Sequence, residues 1–100
     1  MVRVEFHDKD NITTMKIEGR FIGHFAEDAR SLVARNKTPG KLMVDLTGLS
    51  WTDDVGEAAL SWLGKLGCKF VAGNTYSSYV CEKLKLRVIP EAEAHLASAT

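Results

Sequence analysis

The feature that most constrains the fold is a nearly continuous apolar run, Leu42-Met43-Val44-Asp45-Leu46, near the middle of the chain. A strand covered on one face alternates apolar and polar residues, whereas this run is apolar at four of its five positions. Runs of this kind are typical of strands that are buried on both faces of a parallel sheet. We therefore expect residues 42–46 to form a central strand.

The N-terminal part of the chain predicts a β-hairpin. Apolar and polar side chains alternate in residues 2–7 and again in residues 13–18. A short polar turn, Asp8-Lys9-Asp10-Asn11, separates the two segments, and turns of this length join antiparallel strands. Gly19 and Gly23 then bracket a predicted loop.

Apolar residues at helical spacing predict three helices after the hairpin. These helices span about residues 25–36, 54–66 and 75–85. Residues 47–52 are expected to form a loop, and residues 68–72 a short strand. A final strand over residues 86–89 and a short C-terminal helix beginning at Pro90 are also predicted.

This order of elements predicts an α/β domain. The sheet is expected to be small and mixed, with four or five strands in which a hairpin is followed by parallel strands, packed with three or four helices. No internal repeat, linker or change of composition divides the sequence, so residues 1–100 are expected to form a single domain.

Composition argues against several classes of partner. Lys and Arg together number 13, as do Asp and Glu, so no basic excess favours a nucleic acid or an anionic membrane. No apolar run approaches the roughly 20 residues that span a bilayer, and the N-terminus lacks the apolar core of a secretory signal. Cys68 and Cys81 fit no zinc or redox spacing and are expected to be reduced, buried thiols. These features favour a cytoplasmic protein.

Three acidic residues mark the start of the second predicted helix. Asp54 is expected to be the N-cap, with Glu57 three residues later as in a capping box, and Asp53 adds charge at the positive end of the helix dipole. A cap contributes about 1 kcal/mol, so stability alone accounts for these acids. Three adjacent acids offer too few oxygens for a hard cation, which takes about six, so no metal or cofactor is expected.

Catalysis finds no support in the sequence. His7, His24 and His95 share no spacing with one another or with a nucleophile, and no Ser-His-Asp or Cys-His arrangement is evident. We therefore expect no enzymatic activity.

The region around this helix start resembles the signature of STAS domains, the fold of anti-sigma-factor antagonists. In that pattern a strand ending in Asp is followed by a short loop, an aromatic residue, and Asp-Ser-Ser-Gly at the start of a helix. Val44-Asp45-Leu46 resembles the strand, and Trp51 stands at the aromatic position. Asp53 and Gly56 match the Asp and the Gly, and Glu18-Gly19-Arg20 resembles the end of the second strand of the fold.

The resemblance covers about residues 2–88 and departs from the family pattern at the phosphorylation site. The first Ser of the pattern, which is phosphorylated in the family, is Asp54 here, and the second is Val55. In one interpretation Asp54 imitates phosphoserine, although its charge of −1 falls short of the roughly −1.5 to −2 of a phosphate. In the other, Asp54 is only a helix cap in a module that binds a different partner.

The resemblance implies a non-enzymatic regulatory module of a bacterium that binds a protein, with a kinase-like anti-sigma factor as the expected partner. The alternatives are a subunit of another sensory or regulatory complex and a small-ligand-binding domain, which a concave apolar pocket with polar groups would favour. Trp51 is either a lid on the core or an interface anchor, and Gly56 is expected to let a partner backbone approach closely. The residues expected to contact the partner are Trp51, Thr52, Asp53, Asp54, Val55, Gly56 and Glu57.

Overall fold

Strands and helices follow one another in the predicted order. The computed structural model describes residues 2–36 and 41–90. Its elements are β1 (Val2–Lys9), β2 (Ile12–Phe21), α1 (Gly23–Asn36), β3 (Leu42–Thr52), α2 (Asp54–Lys65), β4 (Lys69–Val71) and α3 (Thr75–Lys83). The helix predicted after Pro90 lies outside the described residues.

The four strands form one mixed sheet in the order β1-β2-β3-β4. β1 pairs antiparallel with β2, whereas β2 with β3 and β3 with β4 are parallel pairs, which confirms the predicted hairpin followed by parallel strands. Asp10 and Asn11 form the two-residue turn of the hairpin, with φ angles of 52° and 67°. Positive φ at both positions is the conformation of a type I′ turn, which Asp and Asn tolerate. The predicted last strand is reduced to a single parallel bridge between Phe70 and Val88.

β3 is longer than the sequence predicts. Residues 47–52, expected as a loop, continue the strand, and Leu49, Trp51 and Thr52 pair with Gly19, Arg20 and Phe21 of β2. The predicted loop after Gly19 is likewise shorter, because β2 runs to Phe21. Thr, Gly and Ser favour a loop locally, but pairing with β2 supplies backbone partners that local propensity does not reveal.

The core lies between one face of the sheet and the three helices. Its largest fully buried side chains are Phe21, Phe70, Met15, Ile17, Leu46, Leu49, Leu60, Leu63, Val33, Val44 and Val80. The central strand is buried on both faces as expected, because Val44 joins this core while Met43 packs on the other side with Val71 and Ile89. No helix within the described ranges is long and apolar enough to cross a membrane.

Both cysteines are buried free thiols. Burial raises the pKa of Cys68 and of Cys81 to about 11, because a thiolate is poorly solvated in apolar surroundings. The two side chains therefore act as small apolar groups of the core.

Candidate functional site

Asp53, and not Asp54, is the N-cap of α2. Asp53 has an extended backbone, and its carboxylate accepts a hydrogen bond from the N–H of Gly56 at 2.8 Å. Asp54 is the first residue of the helix and its side chain is exposed. The predicted cap was wrong by one residue because β3 continues to Thr52, which leaves Asp53 as the residue between strand and helix.

The carboxylate of Asp53 also connects the starts of two helices. It accepts a second hydrogen bond from the N–H of Gly23, the first residue of α1, at 3.1 Å. Gly23 has a φ of 54°, a conformation that glycine adopts without strain. One carboxylate therefore satisfies amide groups of both α1 and α2, which would otherwise lack partners at a helix start.

Thr52 lies inside the protein and is only 3% exposed. Its hydroxyl donates to the carbonyl oxygen of Phe21 at 2.8 Å, and its N–H donates to the Tyr76 hydroxyl at 2.9 Å. These bonds hold the end of β3 to the end of β2 and to α3. The Thr52 side chain therefore stabilises the fold and is not available to a partner.

Gly56 is buried where α2 packs against the ends of β2 and β3. A methyl group at this position would lie 1.9 Å from Oγ1 of Thr52 and 2.1 Å from the carbonyl oxygen of Phe21. The close approach that requires glycine is thus between α2 and the ends of β2 and β3. The expectation that Gly56 admits a partner backbone is corrected accordingly.

Three aromatic rings form a row on the surface beside these residues. The Trp51 side chain is 51% exposed and stacks on Tyr76 with ring centroids 5.8 Å apart. Tyr79 is 56% exposed, and its ring lies 6.3 Å from that of Tyr76. Trp51 is therefore a surface residue and not a lid on the core. The hydrogen bond between Tyr76 and Thr52 fixes the ring on which Trp51 rests.

Charges flank this aromatic row. Glu57 lies in the first turn of α2 and accepts from Nζ of Lys83 at 3.0 Å. With Asp53 as the N-cap, Glu57 is the fourth residue of the helix and not the third, so it does not form the predicted capping box. The hydrogen bond and the charge of Glu57 raise the pKa of Lys83, and the charges of Tyr79 and Asp54 add to the effect. Glu57 is thus neutralised by a partner, whereas Asp54 presents its charge to solvent.

An open groove of about 560 Å³ runs between α1 and α2 and reaches the candidate site. Asp54 and Val55 line one side of it, and Glu27 and Arg30 line the other. The Arg30 guanidinium lies 4.9 Å from the centre of the Trp62 ring, which packs against the core. Every buried side-chain nitrogen or oxygen in the described part of the chain has a hydrogen-bond partner. Residues 2–36 and 41–90 contain no group of three His, Cys, Asp or Glu side chains that could hold a metal.

The structure divides the predicted contact residues into two sets. The inward set, Thr52, Asp53 and Gly56, builds the junction between strands and helices. The outward set, Trp51, Asp54, Val55 and Glu57, reaches the surface to differing degrees. Tyr79 and Lys83 join the site only in the folded protein, since spacing along α3 does not reveal which strand the helix packs against.

Solved structures share this fold at low sequence identity. The unphosphorylated anti-sigma factor antagonist SpoIIAA matches 97% of this chain and 94% of its own, with a TM-score of 0.68 and 13% identity. A candidate anti-sigma factor antagonist from Thermotoga maritima matches 97% of this chain and 95% of its own, with a TM-score of 0.76 and 12% identity. An uncharacterised Shewanella loihica protein with a SpoIIAA-like fold matches 96% of this chain and 91% of its own, with a TM-score of 0.55 and 10% identity.

Comparison by sequence gives no corresponding match. No protein-family profile matches the chain, and no curated protein matches it. The likeness therefore rests on the mixed sheet, its three helices and their order. This chain has the SpoIIAA-like α/β fold, as the STAS resemblance of its sequence implies.

Proposed function

We propose that this protein is a non-enzymatic regulatory module that binds a protein partner as an anti-sigma factor antagonist does. The fold that it shares with SpoIIAA along almost the whole chain supports this assignment. The observation that carries the proposal is the placement of Asp54 at the first position of α2. Its carboxylate is exposed there. In the resemblance of the sequence to the STAS pattern, Asp54 stands where that pattern has its phosphorylatable serine.

Asp54 acts in this proposal as a permanent charge and not as a cap. Asp53 already supplies the cap, so the scaffold does not require a carboxylate at position 54. A carboxylate cannot accept a phosphate from a kinase in the manner of serine. Phosphorylation at this position therefore does not switch the protein, and Asp54 holds binding of a kinase-like anti-sigma factor in a weakened state.

The surface around Asp54 suits a protein partner better than a small molecule. Exposed Trp51 and Tyr79 offer large rigid aromatic area, which is enriched in interface hot spots. The adjoining groove between α1 and α2 is open along its length. Ligand pockets enclose most of their ligand, whereas this groove is open to solvent.

Affinity capture from the source organism tests the proposal. The bait is the tagged protein, either unchanged or carrying Asp54→Ser, Asp54→Ala or Trp51→Ala. Asp28→Ser is the matched control, because Asp28 is also an exposed helical aspartate but lies on the flank of α1 that faces β1. We expect a kinase-like anti-sigma factor in the capture, more of it with Asp54→Ser and less with Trp51→Ala, and an unchanged amount with Asp28→Ser.

A second step examines position 54 directly. The captured partner is incubated with ATP and either the unchanged protein or Asp54→Ser, and the intact masses are compared. We expect added phosphate on Asp54→Ser only. Capture of no kinase-like protein, or equal capture by all variants, would contradict the proposed function.

A further inference from the structure

An open depression of about 780 Å³ lies beside the start of α3 and meets the aromatic row at Tyr79. Residues 72–75 line it together with Ser78, Tyr79 and Glu82 of α3. Among these residues only Glu82 carries a charge. A group that enters the depression therefore meets one negative charge and one aromatic ring.

The Glu82 carboxylate is not neutralised by a neighbour. The residue is exposed, and the adjacent Lys83 donates to Glu57 of α2 at 3.0 Å. The ion pairs within residues 2–36 and 41–90 do not include Glu82. Because Lys83 is engaged by α2, the negative charge of Glu82 is available to a cation from outside the chain.

The Tyr79 ring offers a second contact to the same cation. Tyr79 and Glu82 stand three residues apart on α3, a spacing that makes side chains neighbours on a helix surface. The Tyr79 side chain is 56% exposed, although its ring lies 6.3 Å from that of Tyr76. The face of an aromatic ring carries partial negative charge and attracts cations. Ring and carboxylate therefore favour an occupant of the same sign.

The start of α3 does not favour an anion in this depression. The amide of Ser77 donates to the Asn74 side chain at 2.6 Å, and the amide of Ser78 donates to the Asn74 carbonyl oxygen at 3.0 Å. Two of the amide groups that could bind an anion at a helix start are thus already used. The charge of Glu82 would also repel an anion, which leaves a cation as the occupant.

We propose that an arginine of the protein partner occupies this depression, with its guanidinium group stacked on the Tyr79 ring and hydrogen-bonded to the Glu82 carboxylate. The inference rests on the proposed function, which supplies the protein partner, and the depression is continuous with the aromatic row of that site. A planar guanidinium stacks on aromatic rings and can form two parallel hydrogen bonds with a carboxylate, whereas the ammonium of lysine is a compact, strongly hydrated charge.

Binding of the captured and purified partner to immobilised variants, measured by biolayer interferometry, tests the contact. We expect Glu82→Gln and Tyr79→Leu each to raise the Kd about tenfold, as loss of an interface hot spot does. Tyr79→Phe keeps the ring and should bind as the unchanged protein does. Asp28→Asn is the matched control for Glu82→Gln, because it removes one negative charge from an exposed helical position beside β1, and it should leave the Kd unchanged.

Chemical footprinting identifies the side chain of the partner. The partner is treated with phenylglyoxal, which modifies arginine, either alone or saturated with each variant, and mass spectrometry measures the modification of each residue. We expect one partner arginine to be protected by the unchanged protein and by Tyr79→Phe, and to be protected less by Glu82→Gln and Tyr79→Leu. In a parallel treatment with an amine-acylating reagent, no partner lysine should show this dependence on Glu82.

The outcomes separate this inference from the proposed function. An unchanged Kd for both Glu82→Gln and Tyr79→Leu, or partner arginines that are modified equally in all states, would overturn the docking of an arginine here. Circular dichroism checks that each variant is folded. A captured protein that is not kinase-like would contradict the proposed function alone, because the footprint can be made on any protein that the bait captures. Capture of no protein would overturn both.

Discussion

Residues 51–57 contain two groups that are interleaved along the sequence but differ in surroundings. The inward set is held by hydrogen bonds at 2.8 Å from Thr52 to Phe21 and from Gly56 to Asp53. The outward set includes the half-exposed Trp51 ring and the exposed Asp54 carboxylate. Adjacent residues of one motif therefore have different roles. The inward set joins the strand ends to the helices, whereas the outward set places exposed side chains on the surface. Substitutions in the two sets should have opposite consequences for stability and binding.

Gly56→Ala should cause the largest loss of stability. Its new methyl group would clash with the Thr52 hydroxyl and with the backbone of Phe21. Neither group can move without disrupting the pairing between the ends of β2 and β3. We expect the free energy of unfolding to fall by about 3 kcal/mol or more, measured by urea denaturation. Gly64→Ala in the same helix is the control. Its methyl group would lie 2.9 Å from the end of the Leu86 side chain and 3.8 Å from the Phe70 ring, and the substitution should change stability by at most about 1 kcal/mol.

Asp53→Ala and Asp54→Ala make the most direct comparison, because one carboxylate is removed from each set. Asp53→Ala removes the cap of α2 and the bond to Gly23, so we expect a loss of about 2 kcal/mol. Asp54→Ala removes a favourable charge at the helix start but introduces a better helix former, so we expect a change within about 0.5 kcal/mol. If Asp54→Ala were the more destabilising in urea denaturation, the assignment of Asp53 as the cap would be wrong.

Thr52→Val tests a single hydrogen bond of the inward set while keeping the shape of the side chain. The Phe21 carbonyl would lose the Thr52 hydroxyl as its donor, and we expect a loss of about 1 kcal/mol in unfolding free energy. Thr75→Val, at the exposed first residue of α3, is the matched control and should be nearly neutral. Equal effects of the two substitutions would show that the buried Thr52 hydroxyl contributes no more to stability than the exposed Thr75 hydroxyl.

Glu57→Gln should change stability the least, and its main effect should be on the pKa of Lys83. The pKa of Lys83 should fall toward its ordinary value of 10.5, because the Glu57 carboxylate is the main cause of its elevation. Since folding raises the pKa of Lys83, the pair stabilises the protein below pH 10.5, and this contribution is lost as pH rises through the folded-state pKa.

NMR titration of the lysine side chains measures this shift. Asp54→Asn is the comparison and should lower the pKa of Lys83 less, because Asp54 acts on it through charge alone. A larger shift with Asp54→Asn would mean that the acidic groups are arranged differently around Lys83.

The sequence alone determined the order of elements and hence the fold. Alternating residues in β1 and β2, the polar turn within residues 8–11, and the apolar run at residues 42–46 are signals that each segment carries within itself. Burial periodicity is a local property, because a strand or helix must place its apolar side chains on one face wherever that face is packed. The same local signals located the acidic start of α2 within one residue.

The tertiary structure decided which residues of the motif face inward. The end of β3 depends on pairing with β2, and the Thr52 hydroxyl finds its acceptor 31 residues away in the sequence, at Phe21. The cap at Asp53 and the Tyr76 ring beneath Trp51 likewise depend on α1 and α3 packing against this junction. Periodicity within one segment contains no information about such partners, because hydrogen bonds and ring contacts are short-range and form only where the folded chain brings distant segments together.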